Sequence, residues 1–384
     1  MPPPDPNGPL RLALISRRYP PQIGGGEKVM SYLAVALAAE GAEVTVLCCQ
    51  AFDVDPPSHA DEGPRVVRLP SSPVRGWGTV RYMTALNGWL RKNPVDLAYV
   101  SMLKHDAFAA LGAGRARGFP VVLRPEGAGA TGDIAWQGWG RGGRIIARRC
   151  KRADAVVAIS PAVRAELLAA GYEPARVVDL PNGVPVPDLA WSPRPDWSRA
   201  PTAVFVGRLA PEKELGALVD AWPIVRRSHP AARLILIGEG PERLALESRI
   251  AGLGLTGAIE LPGICLDPRP ALRSADLFVL PSREEGMSIA LLEALALGLP
   301  AVASDIPGNR RLIDDFETGR LASPDDPPAL AAAILDQWLG FDRAVRMGRK
   351  ARERVIAEFS VSASARLHLS LFRRLVAARD RTSL

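Results

Sequence analysis

Short apolar runs alternate with amphipathic stretches along most of this 384-residue chain. Residues 10–16 (LRLALIS) read as a buried strand. Glu27 to Glu40 read as a helix: Val29, Leu33, Ala36 and Leu37 fall at i, i+4, i+7 and i+8, and Gly41 supplies the stop. The runs VTVLCC, RVVRLP, DLAYVS, PVVLRPE and ADAVVAIS follow, most of them with a helical segment behind. These runs are continuous rather than alternating, as parallel strands covered on both faces require. A repeated strand–helix rhythm of this kind predicts an α/β fold with a doubly wound sheet.

The rhythm breaks at 184–201 (VPVPDLAWSPRPDWSRAP), where prolines block both helix and central strand and predict a semi-rigid linker. It restarts with TAVFVGR, RLILIGEG, AIELPG, DLFVLPS and PAVASD, so a second doubly wound sheet is expected, and the chain from Pro327 onward reads as helical. The expected layout is a disordered proline-rich tail over 1–9, a Rossmann-like domain over 10–186, a linker over 187–200, a second Rossmann-like domain over 201–361, and a final helix over 362–384 that can return to the first domain. In each sheet, ligands bind beyond the carboxyl ends of the strands.

Composition narrows the picture only a little. Apolar residues at 47% and charged residues at 23% are ordinary for globular chains, and 35 glycines with 36 prolines fall short of low complexity. The net charge of +7 favours anionic partners. The four cysteines, Cys48, Cys49, Cys150 and Cys265, make no C-x-x-C pair, which argues against a disulfide framework or a structural zinc site and for a reducing compartment. No apolar leader core and no membrane-spanning stretch is evident, so a cytoplasmic location is expected.

Three segments carry candidate chemistry. In Ser282–Pro300 (SREEGMSIALLEALALGLP) a strand ends and a helix begins near Ser288. That helix is apolar nearly all round and therefore buried, yet it contains Glu293. A buried carboxylate needs hydrogen-bond partners. Glu285 and Gly286 precede the helix, and the loop–helix junction offers N–H groups and a positive dipole end to a phosphate. The second segment, GRLAPEK (207–213), follows a strand directly and places the forked donor Arg208 and the point charge Lys213 there. The third is the Gly24–Gly26 loop between the first strand and first helix, whose glycines permit close approach to a phosphate or sugar. This loop fails the dinucleotide fingerprint, because Val29 takes the third glycine position, and it fails the Walker pattern, because no Gly-Lys-Ser/Thr follows.

Taken together, Glu285-x7-Glu293, GRLAPEK, GEGPE (238–242), LPG (261–263), NGV (182–184) and the N-terminal glycine loop resemble glycosyltransferase family 4, in the family's order and over nearly the whole chain. The resemblance implies the GT-B fold, two Rossmann-like domains facing across a cleft, and a retaining transfer of sugar from a nucleotide-diphosphate sugar to an acceptor hydroxyl. It assigns the donor diphosphate to Arg208, Lys213, the N–H groups of Gly286, Met287 and Ser288, and Gly25 and Gly26. It places Glu285 on the donor sugar, Glu293 on the ribose, and Ile264, Cys265 and Gly238 around the base. No cofactor beyond the donor and no metal is called for, because cations can stabilise the leaving diphosphate. Asp53-Val54-Asp55 imitates a metal-binding triplet of another fold and is read as coincidence. Many members carry a His at the end of the strand matching PVVLRPE; here Arg124, Pro125 and Glu126 stand there, so Glu126 or His105 is the candidate to orient the sugar or acceptor.

One further feature concerns partners. Residues 141–152 (RGGRIIARRCKR) hold six Arg or Lys and no acid, and with Trp136 and Trp139 before them they could contact an anionic membrane carrying a lipid-linked acceptor. The acceptor expected is a sugar or such a lipid, in polysaccharide, glycolipid or glycoconjugate synthesis. The charge is local and no aromatic–basic sheet motif accompanies it, so nucleic acid is not expected. Two other readings stay open: a sugar-nucleotide 2-epimerase on the same fold, and a non-catalytic nucleotide-sugar binder.

Overall fold

The computed structural model describes residues 8–21, 24–50, 63–74, 76–194 and 200–382. Seven strands, β1 (Arg11–Ile15), β2 (Glu43–Cys49), β3 (Arg65–Leu69), β4 (Leu97–Ser101), β5 (Val121–Arg124), β6 (Ala155–Ala158) and β7 (Val177–Asp179), form one sheet. Every pairing is parallel and the order is β3-β2-β1-β4-β5-β6-β7. The order reverses between β1 and β4, which opens a crevice at their carboxyl ends. Helices α1 (Gly25–Ala39), α2 (Trp77–Lys92), α3 (His105–Arg117), α4 (Asp133–Trp139), α5 (Gly143–Cys150) and α6 (Pro161–Ala169) connect the strands.

Six more strands, β8 (Thr202–Val206), β9 (Arg233–Ile237), β10 (Ile259–Gly263), β11 (Leu277–Leu280), β12 (Ala301–Ser304) and β13 (Arg320–Ala322), form a second parallel sheet in the order β10-β9-β8-β11-β12-β13. Its reversal lies between β8 and β11. The helices here are α7 (Leu215–Ser228), α8 (Arg243–Gly252), α9 (Arg269–Ser274), α10 (Ile289–Leu297), α11 (Pro307–Arg310), α12 (Pro327–Leu339) and α13 (Phe341–Arg354), and α14 (Val361–Thr382) completes the chain. Two α/β units result: unit 1 is Met1–Gly183 with Val361–Leu384, and unit 2 is Val184–Ser360. α14 belongs to unit 1 and packs on α1.

The strands read from apolar runs are all present. β7 and β13 are additional; each has only three residues, too few for an apolar run to register, and each is drawn into the sheet by pairing with β6 or β12. The described part of the proline-rich stretch is held against unit 2. Trp191 is buried, its indole N–H donates to Ala275 O at 2.7 Å, and the Arg352 guanidinium donates to Pro187 O at 2.6 Å. No described helix is long and apolar enough to cross a membrane.

α10 shows how the sequence positions the site. Leu291, Leu292, Ala294, Leu295, Ala296 and Leu297 are at most 1% exposed, and each large aliphatic side chain buried this way contributes about 1.5–3 kcal/mol. The helix is thus fixed on all sides. Its amino end is fixed too, by Ser288, whose Oγ accepts from the Leu291 N–H.

Candidate active site

In unit 2 the loops after β8, β9, β10 and β11 are laced together by their main chains. Gly207 N–H donates to Ile237 O, Leu209 N–H to Glu239 O, Gly238 N–H to Gly263 O, and Arg283 N–H to Glu212 O, all within 2.9–3.0 Å. Gly238 sits at φ +148°, and a Cβ there would fall on the Gly207 carbonyl oxygen. Its role is therefore close packing of the β9 loop on the β8 loop. A Cβ at Gly240 would strike Leu209 O in the same way.

Onto this scaffold Lys213 and Glu285 converge. The Lys213 Nζ lies 2.6 Å from Glu285 Oε1, and Ser282 Oγ donates to the same oxygen at 2.9 Å. Arg208, by contrast, is exposed and makes no side-chain hydrogen bond or ion pair among the described residues. The N–H groups of Gly286, Met287 and Ser288 donate to no acceptor among the described residues, although Met287 and Ser288 are buried. Glu293, five residues on in the buried face of α10, is itself buried rather than turned to solvent. Ile264 and Cys265 lie exposed in the loop after β10, the Cys265 thiol donating to Asp267 O.

Unit 1 holds a second cluster at the carboxyl ends of β1, β4 and β5. Gly25 and Gly26 form the first turn of α1, where a loop was expected. The turn is closed by the Lys28 N–H donating to Gly24 O, and the Glu126 carboxylate lies where a Cβ at Gly26 would stand, so a larger residue there would have to push that carboxylate aside. Glu126 Oε1 accepts from Ser101 Oγ at 2.5 Å. Asp133 fixes the loop, accepting from Glu126 N–H at 2.8 Å and Leu103 N–H at 3.1 Å. His105 is half-buried at the start of α3, with its ring 5.3 Å from Trp136. Burial, and then the nearby Arg17 and Lys104 charges, lower its pKa below the ordinary histidine value. Lys104 also lies over Trp136. Trp136, expected at an interface, is thus engaged by the site, whereas Trp139 is 73% exposed.

Sequence reasoning missed Asp106, Asp133, Arg17, Lys104, Ser101 and Ser282. Ser101 closes β4 and Ser282 follows the end of β11 by two residues, a signal available in the sequence. The others became visible only when loops distant along the chain met. Asn182 of the NGV segment is buried and accepts from Arg124 Nη2 at 2.6 Å, so it anchors the end of β5. Asp53 and Asp55 lie outside the described residues. Among the described residues no group of three or more His, Cys, Asp and Glu is arranged to hold a metal ion.

Two buried titratable groups of unit 1 set opposing pH dependences. Burial raises the Asp106 carboxyl to about 6 against the favourable charges of Arg17 and Lys104, and burial lowers His368 to about 4. His368 is held by the Tyr99 hydroxyl at 3.0 Å and Ser364 O at 2.8 Å. Folding therefore favours protonated Asp106, and its contribution is lost as pH rises from about 4 to 6. His368 resists protonation when folded, and its contribution is lost as pH falls from about 6.5 to 4. Asp106→Asn is expected to stabilise unit 1 by about 1–3 kcal/mol at pH 7, with the gain vanishing near pH 4. Thermal unfolding of both proteins across this range checks it; a gain that is independent of pH contradicts it.

Comparison with known proteins bears on this arrangement. The model "Glycosyl transferase 4-like domain" matches residues 24–183, and "Glycosyl transferases group 1" matches residues 200–338. The Mycobacterium tuberculosis protein "Glycogen synthase" is 26% identical over 392 residues, covering 94% of this chain and 95% of that protein. The "GDP-mannose-dependent alpha-(1-6)-phosphatidylinositol monomannoside mannosyltransferase" of the same organism is 26% identical over 369 residues, covering 91% and 94%. Sucrose-phosphate synthase from Thermosynechococcus elongatus superposes with a TM-score of 0.81 at 24% identity, covering 96% of this chain and 100% of that one. The architecture is the GT-B fold. With one glycosyltransferase model on each unit and relatives matched along nearly their whole length, the chain belongs to the glycosyl transferases group 1, or glycosyltransferase 4-like, family and is a glycosyltransferase that uses a nucleotide sugar.

Proposed function

We propose that the protein moves a hexose from a nucleotide-diphosphate sugar to an acceptor hydroxyl with retention of anomeric configuration. The observation that carries this is the presence, in the loops beyond β8 and β11, of the Lys213–Glu285 ion pair together with Arg208 and the three N–H groups of Gly286, Met287 and Ser288, which have no partner among the described residues. Such a set of donors beyond the carboxyl ends of β8 and β11 supports an anion site there. Arg208, Lys213 and the Gly286–Ser288 N–H groups take the diphosphate. As the glycosidic bond breaks, negative charge grows on the leaving phosphate oxygen, and preorganised donors stabilise it without reorganisation. Lys213 can serve the phosphate while Glu285, steadied by Ser282, accepts hydrogen bonds from donor-sugar hydroxyls. Glu293 takes the ribose hydroxyls, and Ile264, Cys265 and Gly238 border the base.

Unit 1 supplies the acceptor side. Glu126, held by Ser101 and Asp133, accepts a hydrogen bond from the sugar or the incoming hydroxyl, with His105 at the start of α3, which follows the adjacent strand β4. Gly25 and Gly26 bring the amino end of α1 to the same place. The relatives' names support a glucan or a phosphatidylinositol-linked sugar as the class of acceptor. The exposed basic residues of 141–152 favour work at the cytoplasmic face of a membrane.

The test is a panel of UDP-, GDP- and ADP-sugars, with and without sugar and lipid-linked acceptors, and with the product anomer assigned by NMR. One donor should give an acceptor-linked product of retained configuration. A rearranged nucleotide sugar formed without any acceptor would replace this reading with an epimerase, and tight donor binding without turnover would replace it with a binding protein.

A further inference from the structure

Unit 1 has a cavity at the amino edge of its sheet, the end opposite to Glu126 and Gly26. β5 and β6 begin there and α3 and α5 end there. Its volume is about 450 Å³, within the range of small-molecule sites.

Five guanidiniums border it, from Arg115 of α3, Arg148 and Arg149 of α5, Arg152 beyond it, and Arg379 of α14. The cavity has one carboxylate, Asp154, and that group is already engaged: it accepts from Val121 N–H at 2.8 Å and from Arg379 at 3.0 Å. Arg115, Arg148 and Arg152 are exposed and have no carboxylate partner among the described residues. Arg149 is half-buried, its guanidinium 4.1 Å over the Phe108 ring and close against Gly112. Burial, followed by the charges of Arg115 and Arg152, pulls its pKa below the ordinary arginine value. Like charges gathered on a partly dry wall repel unless an anion sits among them. The rest of the wall is apolar, from Phe108, Phe119 and Ile145, and Ile145 is 63% exposed.

We propose that this cavity is a second ligand site, which takes a phosphate group carried on an apolar body. The planar guanidinium fork matches phosphate oxygens in pairs, and four such forks not engaged by Asp154 surround the space. The aromatic and aliphatic wall covers what the phosphate is attached to. The site is separate from the donor site, whose residues lie in unit 2 apart from Gly25 and Gly26, and those two stand at the opposite end of the unit 1 sheet. Both a soluble phosphate ester and the headgroup of an anionic phospholipid have this chemistry.

The experiment has two arms on the full chain. Hexyl phosphate binding is measured by calorimetry. Flotation is measured with vesicles of phosphatidylglycerol in phosphatidylcholine, against phosphatidylcholine alone. Saturable hexyl phosphate binding is expected, weakened at least about tenfold in Arg148→Gln/Arg152→Gln, the loss of one charge-assisted hydrogen bond or more. Arg208→Ala, at the donor site, should bind it like the parent protein. Flotation that needs phosphatidylglycerol and is lost in the double variant, without hexyl phosphate binding, assigns the site to a lipid headgroup. Both replaced arginines are exposed, and Arg152→Glu alone is a second variant should the double one unfold. Binding of neither probe, equal binding by the variants, or loss of binding in Arg208→Ala would overturn the proposal.

Discussion

Replacing Arg208 with alanine should lower kcat/KM for sugar transfer by about two to three orders of magnitude, the usual cost of one preorganised donor at a developing oxyanion. The melting temperature should stay within about 1 °C of the parent, because an exposed side chain with no partner among the described residues contributes little to folding. That combination separates a catalytic role from a structural one. Arg208→Lys keeps the charge but loses the fork and should recover only part of the rate. Steady-state kinetics on the donor identified by the panel, together with a thermal scan, decide the matter. A variant with near-parental kcat/KM removes Arg208 from the diphosphate.

Gly238→Ala is expected to act by another route and to lower both stability and activity. The added methyl would meet the Gly207 carbonyl oxygen, and the backbone at φ +148° is one that alanine rarely adopts. Strain and overlap of this kind cost about 2–4 kcal/mol. For a unit of this size each kcal/mol corresponds to about 2–4 °C in Tm, so a fall of roughly 4–16 °C is expected. Relief requires the β9 loop to lift from the β8 loop, and Arg208 and Lys213 ride on the latter. Donor binding by calorimetry should therefore weaken even at temperatures where the variant is folded. Unchanged Tm and donor affinity would show that the two loops tolerate separation.

Much of the fold was legible because buried parallel strands leave a local trace. Runs such as LALI, AYVS and FVLP need no knowledge of their neighbours to be read as covered on both faces, and the helix behind most of them carries its own period. The unit 2 site was legible for a related reason. Its polar residues directly follow strands, and Glu293 stands out within a helix that is otherwise apolar. β7 and β13 left no such trace, since three residues become strands only when an adjacent edge offers its hydrogen bonds. α1 begins two residues before Glu27, because glycines that signal freedom in the sequence are here closed into a turn by the Lys28 N–H donating to Gly24 O, with Glu126, a hundred residues away, packed against Gly26.

The polar environment of unit 1 was the least legible. Nothing near Asp106 or Asp133 in the sequence marks them as buried. The first is held among Arg17 and Lys104, and the second spans two loops through the Leu103 and Glu126 N–H groups. The arginine cavity has the same origin, since helices separated by more than two hundred residues bring Arg115 and Arg379 to one wall. By itself the sequence determined the strand–helix alternation, the two sheets and the residues placed at strand ends, because hydrophobic period and turn chemistry act over a few residues. The tertiary structure decided which charges are buried, paired or left open, because desolvation and Coulomb energy depend on distances in space, and those were set only when the sheets closed.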